Sequence, residues 1–284
     1  MIDAIVTGAN GFIGQALCRS LDAKGWNVVP LSSADGNVAT LETWRHLPPA
    51  RVLFHLAGRS FVPDSWTQGP DFVRTNVAGT ENALNYCREH GARLVLASAY
   101  VYGIPKRLPI RESDTPVPNN PYALTKRLAE NLCEFASMHQ GVAVTALRIF
   151  NVYGPGQRDE FLIPKVLKQV ESRSEIRVLD LTPRRDYIYL SDVIDAFLKA
   201  AELSSGFRAI NVGSGRSLSV EEIVHKIQTV AGTQLPVTSE LIERLQEIPD
   251  VVADVGLAEQ ILGWRPQVSF EMGIDRILKG ANFE

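Results

Sequence analysis

The run Thr7-Gly8-Ala9-Asn10-Gly11-Phe12-Ile13-Gly14 constrains this chain more than any other stretch. It follows the apolar Ile5-Val6 and precedes a helical pattern from about Phe12 to Lys24. Glycines at a strand-to-helix turn let a pyrophosphate sit against bare backbone N–H groups at the helix N-terminus. Gly8 makes the tight turn, Gly11 lets backbone approach phosphate, and Gly14 lets the helix pack closely on the sheet. The spacing is G-x-x-G-x-x-G rather than the commoner G-x-G-x-x-G, and a glycine triplet alone is weak evidence. Its setting between a strand and a helix points to a dinucleotide.

The remainder of the first half alternates in the same way. Strands read at Ala4–Thr7, Asn27–Leu31, Val52–Leu56, Arg93–Ala97 and Ala143–Ile149, with helices between them, notably Asp71–His90 and Pro121–Gln140. This alternation predicts an α/β chain with a doubly wound parallel sheet and its ligand at the carboxyl ends of the strands. From about Gly154 the elements shorten and loops carry more Pro and Gly. The expected division is a dinucleotide-binding part at 1–154 and 185–205, and a smaller α/β substrate-binding part at 155–184 and 206–284.

Composition narrows the setting. The 284 residues suffice for a large core. A net charge of −3 with dispersed charges predicts no nucleic-acid surface. Cys18, Cys87 and Cys133 lie far apart in helical patterns and suit buried hydrophobes in a reduced compartment, not a metal site or a disulfide framework. No apolar run reaches the ~20 residues of a membrane span. The first strand starts almost at Met1, so no signal peptide is expected, and the predicted location is the cytoplasm.

Ser98 follows the fourth apolar strand, and Tyr122 and Lys126 stand four apart on one helical face. With His55-Leu56-Ala57-Gly58, Thr75-Asn76-Val77-Ala78-Gly79-Thr80, Leu147–Gln157, Arg185–Val193, Asn211–Gly215 and Leu262–Pro266, the chain resembles the extended short-chain dehydrogenase/reductases, also called the NAD-dependent epimerase/dehydratase family, over nearly its whole length. The resemblance implies a Rossmann-type fold and a nicotinamide dinucleotide held by Gly8, Asn10, Gly11, Phe12, Ile13, Gly14, Ser32, Asn37, Val38, Leu56, Ala57, Gly58, Asn76, Tyr122 and Lys126. It also implies catalysis by Ser98, Tyr122 and Lys126. Lys126 is expected to lower the phenol pKa from its usual ~10 and to bind the nicotinamide ribose. A nucleotide-diphosphate sugar would lie against Ser98, Ala99, Tyr100, Tyr122, Asn151 and Arg185. A homodimer is expected through Asp71–His90 and Pro121–Gln140, with Ala78, Leu84, Leu128, Leu132 and Phe135 among the apolar positions.

Three departures from the family pattern bear on the substrate and cofactor. Ser32 stands where an acid commonly holds the adenosine ribose, which opens the site to NADP, although Asp35 is a second candidate for that acid. The choice between NAD and NADP leans to NADP. Ala99-Tyr100 replaces the Asp-Glu pair of sugar 4,6-dehydratases and resembles reductases of 4-keto-6-deoxy nucleotide sugars, Tyr100 being alternatively a packing aromatic. Glu247 stands where many relatives carry a phosphate-binding arginine, with Arg244 as the candidate replacement. Reduction of a 4-keto sugar, 4-epimerisation, and a noncatalytic dinucleotide sensor are the readings left open.

Overall fold

A computed structural model describes residues 2–173, 175–241 and 247–280. Within them, eleven strands are numbered in chain order: β1 Ile2–Thr7, β2 Val28–Leu31, β3 Ala50–His55, β4 Arg93–Ala99, β5 Val144–Ile149, β6 Asn151–Tyr153, β7 Ile176–Val178, β8 Arg184–Tyr189, β9 Phe207–Val212, β10 Ser217–Ser219 and β11 Val237–Ser239. Six of them form one parallel sheet in the order β2-β1-β3-β4-β5-β9. Order reverses beside β1, so the crevice at the carboxyl ends of β1 and β3 is where a doubly wound sheet takes a ligand.

Both faces of the sheet are covered, as a parallel sheet requires. On one face Ala4, Val6, Phe54 and Val95 pack with Leu17 and Leu21 of the helix Phe12–Ala23 and with Val193 and Phe197 of the helix Leu190–Ala200. On the other, Ile5, Leu53 and Leu94 pack against Leu84 and Cys87 of the helix Gly79–His90 and Ala129 and Cys133 of the helix Pro121–Gln140. Burial pushes the thiols of Cys87 and Cys133 up, which suits their role as small apolar side chains.

Several elements differ from the sequence expectation. Phe207–Val212, placed with the substrate-binding part, is the sixth strand of the main sheet, paired with β5 from Val144↔Phe207 to Ile149↔Val212. Ala258, Leu262 and Trp264 also join the first core, and the Trp264 indole donates to the Asp192 carbonyl at 3.0 Å. In the segment 185–205, strand β8 pairs with β6 and β10 in a separate three-stranded sheet, while the helix Leu190–Ala200 returns to the main one. A further core gathers Tyr153, Tyr189, Ile223 and Phe270 beyond that small sheet. The single helix expected at 71–90 is instead Gly69–Phe72, a π-helical turn Val73–Ala78, and Gly79–His90. No helix of the described residues is long and apolar enough to cross a membrane.

Leu84 faces the core, so it is not on an outer surface as the dimer expectation required. The helix Pro121–Gln140 instead exposes Leu124, Leu128, Phe135 and Met138, while Leu132 packs inward.

Candidate active site

The glycine turn is built as its residues dictate. Gly8 has φ +70°, and a Cβ there would meet Ala57 N at 2.7 Å. A Cβ on Gly14 would meet the Gly8 carbonyl oxygen at 2.1 Å, so the helix sits directly on the turn. Thr7 fastens the turn to β3: its Oγ1 accepts from Ala57 N–H at 3.1 Å and lies 2.8 Å from His55 Nδ1. Gly11 caps the helix Phe12–Ala23 without a side chain, and its first turn carries no acid. The N–H groups there are left for an anion, which fits a pyrophosphate. Asn10, Gly11 and Gly58 are exposed at this end, Phe12, Ile13, Leu56 and Ala57 half-buried.

At the end of β2, Asp35 has turned back on Ser32. Its Oδ2 accepts from the Ser32 N–H at 2.8 Å and the Ser32 hydroxyl at 2.7 Å. Those bonds lower the Asp35 pKa, the hydroxyl first. Asp35, the second candidate for the acid, thus has its carboxylate brought back beside Ser32 by a turn. Asn37 is exposed and folds its own Asx turn, its Oδ1 accepting from Ala39 N–H, while Val38 is buried and gives its carbonyl to Trp44 and Asn82.

Asn76 sits in the π-helical turn, and its amide is committed to the protein. It donates to the Arg59 carbonyl and to Thr125 Oγ1, and accepts from Arg59 N–H. It thus ties the Gly58-Arg59 turn to the helix that carries Tyr122 and Lys126. A π-turn at such a junction is a common mark of a functional site.

The Pro121–Gln140 helix starts where Asn120 accepts from Ala123 N–H with Pro121 in the first turn. That start fixes which face Tyr122 and Lys126 present. Lys126 is buried; its ammonium donates to the Ala97 carbonyl of β4 at 2.8 Å. A Cβ on Gly58 would lie 3.1 Å from the same Nζ, so β3, β4 and the helix meet at this nitrogen. Burial pulls the Lys126 pKa down to about 8, with Glu130 pulling the other way. Burial also pushes the Tyr122 phenol well above its usual range. This direction is opposite to the lowering expected from the neighbouring lysine, because the phenol is desolvated and the ammonium is turned to β4. Among the described residues Tyr122 shows a ring contact with Phe72 and no hydrogen bond from its hydroxyl.

Ser98 is the penultimate residue of β4 and is 3 % exposed. Its hydroxyl donates to the fully buried Glu130, a residue the sequence reading did not single out. The available signal was its place four residues beyond Lys126. Ala99 is buried, and Tyr100 packs edge-on against Tyr102 and Phe150 with its hydroxyl donated to the Gly103 carbonyl. Burial raises the Tyr100 phenol. Both its ring and its hydroxyl are thus held by the protein.

The residues expected to hold diphosphate are engaged elsewhere. Asn151 donates to the Asp186 carbonyl at 3.3 Å. Arg185 pairs with Glu247 and donates to the Arg184 and Ile248 carbonyls. Arg244 lies outside the described residues. Asp186, also unmarked by sequence, is fully buried and accepts from Ser214, Gly215 and Ala253, which fixes the loop after β9 beside Asn151. The described residues hold no cluster of metal-ligating side chains.

Residues 4–213 match the NAD dependent epimerase/dehydratase family. The chain belongs to that family. It is an NAD(P)-dependent sugar-nucleotide enzyme of the extended short-chain dehydrogenase/reductase type. It is 29% identical to a GDP-6-deoxy-D-mannose reductase of Pseudomonas aeruginosa over 96% of this chain and 95% of that one. It is 30% identical to a UDP-glucose 4-epimerase of Azospirillum brasilense over 93% and 87%. Its fold matches the structure of RMD from Pseudomonas aeruginosa complexed with NADPH at a TM-score of 0.90, with 27% identity and 98% of each chain covered.

Proposed function

We propose that this enzyme reduces the C4 ketone of a nucleotide-linked 4-keto-6-deoxyhexose, with Tyr122 as proton donor. One observation carries the reading: the Tyr122 hydroxyl has no protein partner among the described residues, so its proton is available to a substrate oxygen. A protonated phenol gives a proton to an oxygen that gains charge as the carbonyl is reduced. The likeness to a GDP-6-deoxy-D-mannose reductase supports the same substrate class. Ala99 and the tied Tyr100 put no acid or base at the two positions after Ser98, where sugar 4,6-dehydratases carry an Asp-Glu pair, which argues against elimination of water.

A bound nicotinamide dinucleotide supplies the hydride. Gly8, Gly11, Gly14 and the bare helix N-terminus would hold its pyrophosphate, and Lys126 with Gly58 would border its ribose. The cofactor we propose is NADH rather than NADPH, reversing the lean drawn from Ser32. The Asp35 carboxylate, held by Ser32 at the end of β2, repels a 2′-phosphate and suits a ribose diol. The same pair favours a second reading, a 4-epimerase that keeps NAD bound through turnover. We also propose that the exposed Leu124, Leu128, Phe135 and Met138 face a second copy of the chain across a two-fold axis. The nucleotide sugar would lie between the ends of β4 and β5 and the residues beyond Gly154.

The test adds NADH or NADPH and a panel of nucleotide-linked 4-keto-6-deoxy sugars, and follows loss of the reduced nicotinamide. One cofactor consumed per sugar is expected, with Tyr122→Phe slowing turnover by about 10²-fold or more while dinucleotide affinity holds. Equilibration of two nucleotide hexoses with no added cofactor would establish the epimerase instead.

A further inference from the structure

The proton of Ser98 does not face the reacting centre. It is donated to Glu130 Oε1 at 2.6 Å. Glu130 is fully buried and receives two other residues: Arg148 Nε and Nη2 at 3.0 and 2.8 Å, and Arg127 Nη1 at 3.1 Å. Arg148 is the direct neighbour of Ser98 across the sheet, in register on β5. A carboxylate flanked by two guanidinium groups accepts and does not donate, so the direction of the Ser98 bond is set. A serine hydroxyl has one proton and two lone pairs. Its proton is spent, and the lone pairs remain.

Tyr122, Lys126 and Glu130 follow at i, i+4 and i+8 on one helix, so a single face carries the proton donor, the ammonium and this carboxylate. We propose that Glu130 is a positioning residue that makes Ser98 an acceptor only. Ser98 then takes a hydrogen bond from a C4 hydroxyl or from the Tyr122 phenol. Donation to a C4 ketone oxygen is left to Tyr122 alone. This rests on the proposed function, in which Ser98 and Tyr122 meet the sugar at C4. It differs from a shared-donor arrangement, in which both hydroxyls point their protons at the same oxygen. Arg148 lets a carboxylate be placed there at all, since a buried charge without a partner is costly.

The first measurement needs no substrate. In protein labelled with ¹³C-serine, the Ser98 hydroxyl proton should exchange slowly with water and resonate downfield of ordinary serine hydroxyls. The signal should vanish in Ser98→Ala. A wild-type protein without such a protected hydroxyl overturns the proposal whatever the substrate. The second compares Ser98→Ala, Glu130→Gln and the double variant on the nucleotide sugar that the wild type turns over. Each single variant should lose about tenfold in kcat with dinucleotide affinity within about twofold, and the double variant should be no more than about twofold worse than Ser98→Ala. Losses that multiply show that Glu130 acts apart from Ser98, as a purely structural strap would, and overturn the proposal. If Glu130→Gln does not fold, Ser98→Ala alone is informative. It should weaken binding of a C4-hydroxyl nucleotide sugar about fivefold and leave its 4-keto counterpart within about twofold; the opposite order overturns the proposal. Absence of turnover on every nucleotide sugar counts against the proposed function, and the hydroxyl resonance still decides this inference.

Discussion

Arg185 spends its guanidinium on the carboxylate of Glu247, and both side chains are one-fifth exposed. Arg185 also donates to the Ile248 carbonyl, so the ion pair lies across the segment where a sugar diphosphate is expected. An arginine fork binds phosphate well, but only after it leaves its present partner. Glu247→Gln should therefore tighten binding of a nucleoside diphosphate by about fivefold to tenfold, roughly 1 kcal/mol for a partly exposed pair. Titration calorimetry at low and high salt measures it, and the gain should shrink as salt rises. Unchanged or weaker binding would remove Arg185 from the phosphate site.

The proposed preference for NADH rests on Asp35 and its two bonds from Ser32. Asp35→Asn keeps the size and an acceptor oxygen but removes the charge. The ratio of kcat/KM for NADPH to that for NADH should rise by about tenfold, as expected for loss of one like-charge contact near a 2′-phosphate. Steady-state kinetics with both cofactors gives the ratio directly. A ratio that does not move places the carboxylate away from the ribose.

The parts of this site legible in sequence are those set by local structure. The glycine turn, the Asn120-Pro121 helix start and the four-residue spacing of Tyr122 and Lys126 each follow from backbone rules that act within a few residues. What escapes the sequence depends on which distant groups packing brings together. Ser98 and Glu130 are 32 residues apart, and Arg185 and Glu247 are 62 apart. β9 joins the main sheet because its apolar Ile210 and Val212 fill the core beside β5, which no local period reports. Asp35 is legible as a candidate acid, but the turn that brings its carboxylate back onto Ser32 shows only in the structure. The outward-facing apolar residues are legible only in part, because a helical period does not say which of two apolar faces looks at the sheet, and Leu84 does.

His55 is buried beside Lys126, bonded through Nδ1 to Thr7, and its Nε2 has no partner among the described residues. Burial, reinforced by the Lys126 charge, pulls its pKa down from 6.5 to about 3. The folded state thus holds the ring neutral, while the unfolded chain takes up a proton below pH 6.5. The group's contribution to stability is full above pH 6.5 and is lost as pH falls toward 3, at up to roughly 1.4 kcal/mol per pH unit. His55→Asn keeps a polar amide near the Nδ1 position and cannot titrate. Denaturant melts between pH 7 and 4 should show a shallower acid slope in the variant than in the wild type. Parallel slopes would mean that the ring is protonated in the folded protein.

Two glycines beside the proposed dinucleotide site should separate stability from function. At Gly14 a Cβ would meet the Gly8 carbonyl oxygen at 2.1 Å, and the obstacle is backbone in a tight turn. Nothing there yields without moving the helix Phe12–Ala23 off the sheet. Gly14→Ala should cost about 3 kcal/mol, at the upper end of ordinary overpacking, and lower Tm by roughly 6–12 °C for a chain of this size. At Gly58 a Cβ would lie 3.1 Å from Lys126 Nζ and 3.1 Å from Asn76 Oδ1, both ends of side chains. The lysine end can give way, so Gly58→Ala should change Tm by only about 2 °C. What it displaces is the ammonium bonded to Ala97, in the place proposed for the nicotinamide ribose. Dinucleotide affinity should therefore fall about tenfold in Gly58→Ala, a loss of roughly 1.4 kcal/mol. Thermal melts and dinucleotide titrations on the two variants make the comparison. A Gly58→Ala protein that binds dinucleotide as the wild type does would put the ribose elsewhere, whereas a Gly14→Ala protein of unchanged Tm would mean that the turn opens more easily than its contacts allow.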